Sequence, residues 1–378
     1  MAELSSMERE FSRDDNLPEE LLLEILAWLP SKTLLKFRSV CKTWCSFIDS
    51  SNFIPLHLKR YNYNSQKVTH HLIAIERSVG DGCNFTIRCC DTFNKIADLV
   101  EFPEPHSISG NRNGLILLIN GRNSVRLWNP SIRKSLFLPH CPFASPWGRS
   151  RRCCVAYALG FSPSSNDHKV LAIKTIIRRF NDDAWIAVYS LTDHLWRKKQ
   201  NPVSKSGWAI SGFRREGGLV CCGGVVYWID RNRQANGKLY LYDFDVEEFS
   251  VMQLPDAVKE STNRFIFAHG ESLGVLLMSS ESSCIWVLEK DGGENPWRLW
   301  FKGDPNLDAP KVFDCSSIVY GQKSNTFLLF NTHNHITMSY NIASNQTRTM
   351  MSSRIFFQTY LESLVLHKDF DETITSFL

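Results

Sequence analysis

VRLWNPSIRKSLFLP, residues 125–139, holds an apolar and aromatic run, an Asn-Pro-Ser turn, and a second run that stops at Leu-Pro. Asparagine and serine form local side-chain turns and proline presets φ, so the stretch reads as two strands joined by a tight turn. The unit recurs as IRCCDTFNKIADLVEFP (87–103), IAVYSLTDHLWRKKQNP (186–202), LYLYDFDVEEFSVMQLP (239–255), IWVLEKDGGENPWRLWF (285–301) and ITMSYNIASNQTRTM (336–350). Upstream of each copy lies another strand pair, such as NGLILLIN (113–120) or VCCGGVVYWID (220–230). Four-stranded repeats of roughly 40 to 60 residues predict propeller blades, six in this chain. A β-sandwich or several small β-domains would show similar strand spacing and stand as the alternatives. A ring must also close, and the late run LESLVLH (361–367) is expected to pair with HHLIAIE (70–76), hiding two sheet edges.

Ahead of residue 65 the period changes. Leu17, Leu21, Leu22, Ile25, Leu26 and Leu29 fall at helical spacing, with Pro18 suited to the first helical position and Glu19 and Glu20 suited to the dipole. Pro30 ends that helix. A second helical segment is expected to open with Ser31 as N-cap and to carry Leu34, Leu35, Phe37, Val40, Trp44, Phe47 and Ile48. The fold class expected is therefore α+β and multidomain: a small three-helix head over 15–58, then an all-β domain over 65–378, with residues 1–14 disordered.

Composition narrows the function classes. Hydrophobic residues at 43% supply a sizeable core, and a formal charge of +4 is too small to imply nucleic acid without a concentrated patch. The opening MAELSSMEREFSRDD has no apolar core of a signal peptide, and no apolar run approaches the roughly 20 residues of a membrane span. A soluble protein of the cytoplasm or nucleus is expected, with its 12 cysteines as free thiols and no membrane contact.

Residues 17–58, LPEELLLEILAWLPSKTLLKFRSVCKTWCSFIDSSNFIPLHL, resemble the F-box of plant proteins. The resemblance rests on Leu17-Pro18, Ile25-Leu26, Leu29-Pro30, the run from Phe37 to Trp44, Phe53 and His57-Leu58. GNRNGLILLIN, LWNPSIRK, ALGFSPSSNDHKVL and YLESLVL resemble the F-box-associated, kelch-like propeller domain of the same family. Asn111-Arg112-Asn113-Gly114 departs from the family's usual Ser-Cys-Asn-Gly, a change expected to alter a turn. The resemblance implies that the head docks on a Skp-type adaptor, and through it on a cullin and RING subunit. The propeller would then hold a protein to be ubiquitinated. A head of about forty residues with apolar side chains on more than one helix face needs such a partner. Candidate adaptor contacts are Leu17, Pro18, Leu22, Ile25, Leu26, Leu29, Pro30, Leu34, Val40, Cys41 and Trp44. An adaptor-bound scaffold outside any ligase and a propeller enzyme are the rival functions.

No catalytic fingerprint appears, neither G-x-S-x-G nor Walker nor Rossmann, so no enzyme activity and no cofactor are expected. His333 and His335 are too few for a metal site, and Cys41 and Cys45 lack a second ligand pair. The doublets Cys89-Cys90, Cys153-Cys154 and Cys221-Cys222 fall in predicted strands, where neighbours point to opposite faces and cannot chelate together. Loops between the second and third strands and between blades must share one face. There the sequence gathers Trp147, Arg149, Arg151, Arg152, Arg179, Trp208, Arg214, Arg215, Arg231 and Arg233, the candidate substrate contacts. Trp and Arg are enriched at binding hot spots, and the excess of basic residues favours an acidic partner.

Overall fold

Helix α1 (Glu19–Ala27) begins one residue later than the sequence predicts: Pro18 is the N-cap, and Glu19 and Glu20 fill the first turn at the positive end of the dipole. The segment expected as one helix from Ser31 is two, α2 (Ser31–Phe37) and α3 (Lys42–Ile48). Pro30, not Ser31, holds the N-cap of α2. Between the two helices Cys41 turns extended, and its sulfur caps α3 by accepting from the Trp44 N–H at 3.4 Å. Arg38 then closes the corner with two hydrogen bonds to Asp49, at 2.8 and 2.9 Å. A fourth helix, α4 (Phe53–Asn64), runs beyond the expected three and packs on α1 and α3. From it His57, fully buried, donates through Nε2 to the Leu29 carbonyl at 2.9 Å and closes the end of α1. Burial pulls its pKa below the usual imidazole value.

The computed structural model describes residues 17–50, 52–64, 71–77, 83–90, 92–102, 106–120, 124–143, 153–176, 183–199, 219–229, 237–259, 264–278, 283–289, 293, 296–303, 315–321, 325–331, 336–344, 346–352 and 355–365. After the head they form six four-stranded antiparallel sheets. Blade one contains β1 (His71–Arg77), β2 (Cys83–Cys89) and β3 (Lys95–Phe102). Blade two contains β4 (His106–Arg112), β5 (Leu115–Asn120), β6 (Val125–Asn129) and β7 (Lys134–Phe137). Blade three is β8 (Cys153–Ser162), β9 (Asp167–Ile176), β10 (Asp183–Ser190) and β11 (Leu195–Lys199). Blade four is β12 (Val220–Cys222), β13 (Val225–Ile229), β14 (Lys238–Asp243) and β15 (Glu248–Gln253), followed by the short α5 (Asp256–Lys259). Blade five is β16 (Arg264–His269), β17 (Ser272–Met278), β18 (Ser283–Leu288) and β19 (Trp297–Gly303). Blade six is β20 (Cys315–Gly321), β21 (Thr326–Asn331), β22 (Ile336–Asn341) and β23 (Gln346–Ser352). In every blade the repeated unit of the sequence forms the two outer strands.

A last strand, β24 (Ile355–Tyr360), pairs with β1 from His71↔Tyr360 to Glu76↔Ile355 and supplies the innermost strand of blade one. The ring is therefore closed by IFFQTY, not by the expected 361–367. IFFQTY is aromatic and β-branched and alternates in burial, whereas residues 361–365 leave the ladder after Tyr360.

The core is a set of seams between blades. Strands such as β5 are buried on both faces because a blade lies on each side, which explains unbroken runs such as LILLI. Leu171, Ile173 and Val188 of blade three meet Val226, Trp228 and Tyr242 of blade four, and each further seam is built alike. Gly160 is needed at one of them, since a Cβ there would lie 2.1 Å from the Phe244 ring. Hydrogen bonds cross the same seam: Ser162 Oγ donates to Asp245 at 2.6 Å, and Lys169 Nζ reaches the Phe244 carbonyl at 3.0 Å and Glu247 at 2.9 Å. The seam of blades two and three also contains the core of the head, with Leu26, Leu34, Ile48 and Phe53 in one cluster with Leu117, Leu127 and Leu159.

Candidate functional site

In α1 two apolar faces run side by side. Leu26 and Ala27 point into the head and are closed off, and Leu22, Leu23 and Leu29 pack partly against the same core. Leu21, Ile25 and Trp28, spaced i, i+4, i+7, form the other face and are about half exposed, at 52%, 51% and 42%. Leu17 continues this face at one end, and Val40, 60% exposed, lies in the corner between α2 and α3. Arg60 of α4 borders Trp28, its guanidinium 5.6 Å from the ring centroid, and pairs with Glu24 at 2.6 Å. A contiguous apolar stripe open to solvent on so small a head has the character of a protein-binding surface.

The expected adaptor contacts divide accordingly. Leu17, Pro18, Ile25, Pro30, Val40 and Cys41 are exposed, and Leu22, Leu29 and Trp44 are half-buried. Leu26 and Leu34, at 1% and 0% exposure, are head core and cannot touch a partner. Trp44 leans on Phe37 with ring centroids 5.0 Å apart. Leu21, expected in the apolar stripe but not as an adaptor contact, and Trp28, expected in neither, belong to the exposed face; their spacing with Ile25 was the available signal.

In the propeller, the six innermost strands surround a narrow axial cavity of about 80 Å³, lined by Ser109, Asn111, Cys221, Tyr320 and Thr359 among others. Across its mouth Arg112 of β4 forms a two-pronged ion pair with Glu271 of blade five, at 3.2 and 2.9 Å, and Glu271 also accepts the Gly223 N–H at 3.0 Å. Burial opposes the Arg112 charge and Glu271 holds it, so its pKa stays above the usual value. The expected turn change is thus misplaced: Asn113 and Gly114, both at positive φ, keep the hairpin, while Asn111 and Arg112 lie in the strand. Asn111 reaches across to Thr359 of β24. Burial pushes the Cys221 thiol up to about 12, which keeps it protonated and a poor nucleophile.

Among the described residues no three His, Cys, Asp or Glu side chains cluster to hold a metal. Cys90 falls in the turn just after β2, not in a strand. Among the described residues no helix is long and apolar enough to cross a membrane. The substrate-contact candidates Trp147, Arg149, Arg151, Arg152, Arg179, Trp208, Arg214, Arg215, Arg231 and Arg233 all lie outside the described residues, as do His333, His335 and residues 1–14.

Comparison with known proteins adds to this geometry. An F-box domain model matches residues 15–56, and a model described as F-box associated beta propeller domain matches residues 96–301. The F-box protein CPR1 of Arabidopsis thaliana is 26% identical, over 83% of this chain and 79% of its own length. An F-box/kelch-repeat protein of the same plant is 24% identical, over 76% of this chain and 80% of its own. With a propeller match across more than half of its length and an F-box match over the head, the chain belongs to the F-box associated beta propeller family.

Proposed function

We propose that this protein is the substrate-recognition subunit of an SCF-type (adaptor, cullin and F-box) ubiquitin ligase. The exposed stripe of Leu21, Ile25 and Trp28, continued by Leu17 and Val40, carries the reading. It is apolar, lies on a head matched by the F-box model, and suits a Skp-type adaptor, through which a cullin and RING subunit are reached. The kelch-like propeller is the recognition module. The protein does no chemistry and needs no cofactor; it raises the effective concentration of a bound protein beside the ubiquitin-charged enzyme. The Arg and Trp residues gathered between positions 147 and 233 of the sequence favour an acidic partner, met in the cytoplasm or nucleus.

The test is affinity capture from plant cells with the proteasome blocked, comparing the intact chain with a Leu21→Asp, Ile25→Asp double variant. The intact chain should bring down adaptor, cullin and ubiquitin-modified partners. The variant should lose adaptor and cullin by more than tenfold while keeping partner capture, because two carboxylates would be desolvated at the contact. Adaptor retained by the variant would refute the interface. Adaptor without cullin on the intact chain would select a scaffold role instead.

A further inference from the structure

We propose that residues 361–365 are a strut that fixes the helical head to the propeller, and that Asn129 is the positioning residue that grips it. These residues follow the ring-closing strand directly but add nothing to its ladder, which ends at Tyr360↔His71. Asn129, at the end of β6 and fully buried, takes them over. Its Nδ2 donates to the Ser363 carbonyl at 3.1 Å, to Ser363 Oγ at 3.0 Å and to the Val365 carbonyl at 2.8 Å. Its Oδ1 accepts the Ser131 N–H at 2.9 Å, and Ser131 Oγ accepts the Ser363 N–H at 3.1 Å. The Tyr360 hydroxyl meets Ser131 Oγ at 2.8 Å. A buried network in which side chain and backbone answer each other specifies one geometry for the segment it holds. Gly114 makes the room: a Cβ there would stand 2.3 Å from Ser363 Oγ and 2.7 Å from the Leu361 carbonyl.

The apolar side chains of the strut point to its purpose. Leu364 and Val365 are buried and Leu361 partly so, in the one cluster that also contains Leu26, Leu34, Ile48 and Phe53 of the head. On the propeller side the cluster takes in Ile132, just past Asn129, and Leu138 and Phe143, beyond β7. The ring does not need these five residues, since β24 and β1 close it by backbone pairing. What they join is head to propeller. A subunit that works by proximity gains effective concentration only while the geometry between its two binding sites is held. That consequence rests on the ligase reading, whereas the strut itself does not.

The experiment is performed on the full chain, with a donor and an acceptor fluorophore introduced through unnatural amino acids at the exposed Lys36 of α2 and Lys198 of β11. The wild type should give one narrow distance distribution. Asn129→Asp sets a carboxylate oxygen against the Ser363 and Val365 carbonyls, which cannot donate to it, and Gly114→Ala pushes on Ser363; each should widen the distribution at least twofold. Ser363→Ala leaves both carbonyl acceptors in place and should stay narrow. If Asn129→Asp does not fold, Gly114→Ala and a chain ending at residue 360 decide. A narrow distribution in these two, or a wild type already broad, overturns the proposal. In a reconstituted ligase the broadened variants should bind adaptor within twofold of wild type. Their ubiquitin transfer to the propeller's own lysines should fall more than fivefold. A wild type that transfers none sinks the ligase reading, while the distance distributions still judge the strut.

Discussion

His168, near the start of β9 just past the turn from β8, is almost wholly enclosed, accepting through Nε2 a hydrogen bond from Asn113 Nδ2 at 3.2 Å. Burial, with the Arg112 charge nearby, drives its pKa down to about 3, and burial lowers His57 too. Both rings are neutral in the folded protein, while in the unfolded chain they protonate near 6.5. As pH falls below that value the unfolded state binds protons that the folded state refuses, so stability declines, and the part due to His168 goes on declining to about pH 3. Denaturant midpoints should therefore drop between about pH 7 and pH 5, and His168→Gln, which still accepts from Asn113, should decline less steeply. Equal slopes would assign the acid sensitivity to other groups. Neither ionisation state was legible in the sequence, because each burial is made by chain segments far from the histidine. Leu26 and Ile25 teach the same lesson: adjacent apolar residues on a helix that is apolar on two faces give no sign of which one faces inward.

At the scale of elements, α1 separates stability from binding. Leu26→Ala should cost about 2–5 kcal/mol by leaving a cavity in the head, whereas Ile25→Ala on the exposed face should change stability by about 0.5 kcal/mol or less. Far-ultraviolet circular dichroism during urea unfolding measures the first effect, and adaptor titration the second, where Ile25→Ala should weaken binding and Leu26→Ala should not do so beyond its unfolding. The propeller's outer strand pairs were legible because tight turns and alternating runs repeat six times, and repetition averages out local ambiguity. The head's corner was not. Phe37 to Trp44 contains no Gly or Pro to mark a break, and Cys41, capping with sulfur, and the Arg38–Asp49 pair divide it. The closing strand was misplaced by a few residues for a related reason. LESLVL and IFFQTY are both apolar and neighbouring, and what parts them is Asn129, distant in sequence.

At the scale of the whole molecule, six blades form one object only while β24 lies against β1. A chain ending at Ser353 loses that strand, exposing the inner edge of blade one and the seam that Ile355 and Phe357 share with Phe330. It should aggregate or be cut by trypsin within the propeller under conditions that leave the intact chain whole. A soluble, protease-resistant product would show that the seams alone hold the ring. The same pairing also sets a clock on biosynthesis. His71 leaves the ribosome about 290 residues ahead of its partner Tyr360, and at roughly 5–20 residues per second the interval is tens of seconds. For all that time the nascent protein presents a bare β edge of His-Leu-Ile-Ala-Ile-Glu, so its yield in the cell is set by whatever shields that edge until β24 has been made.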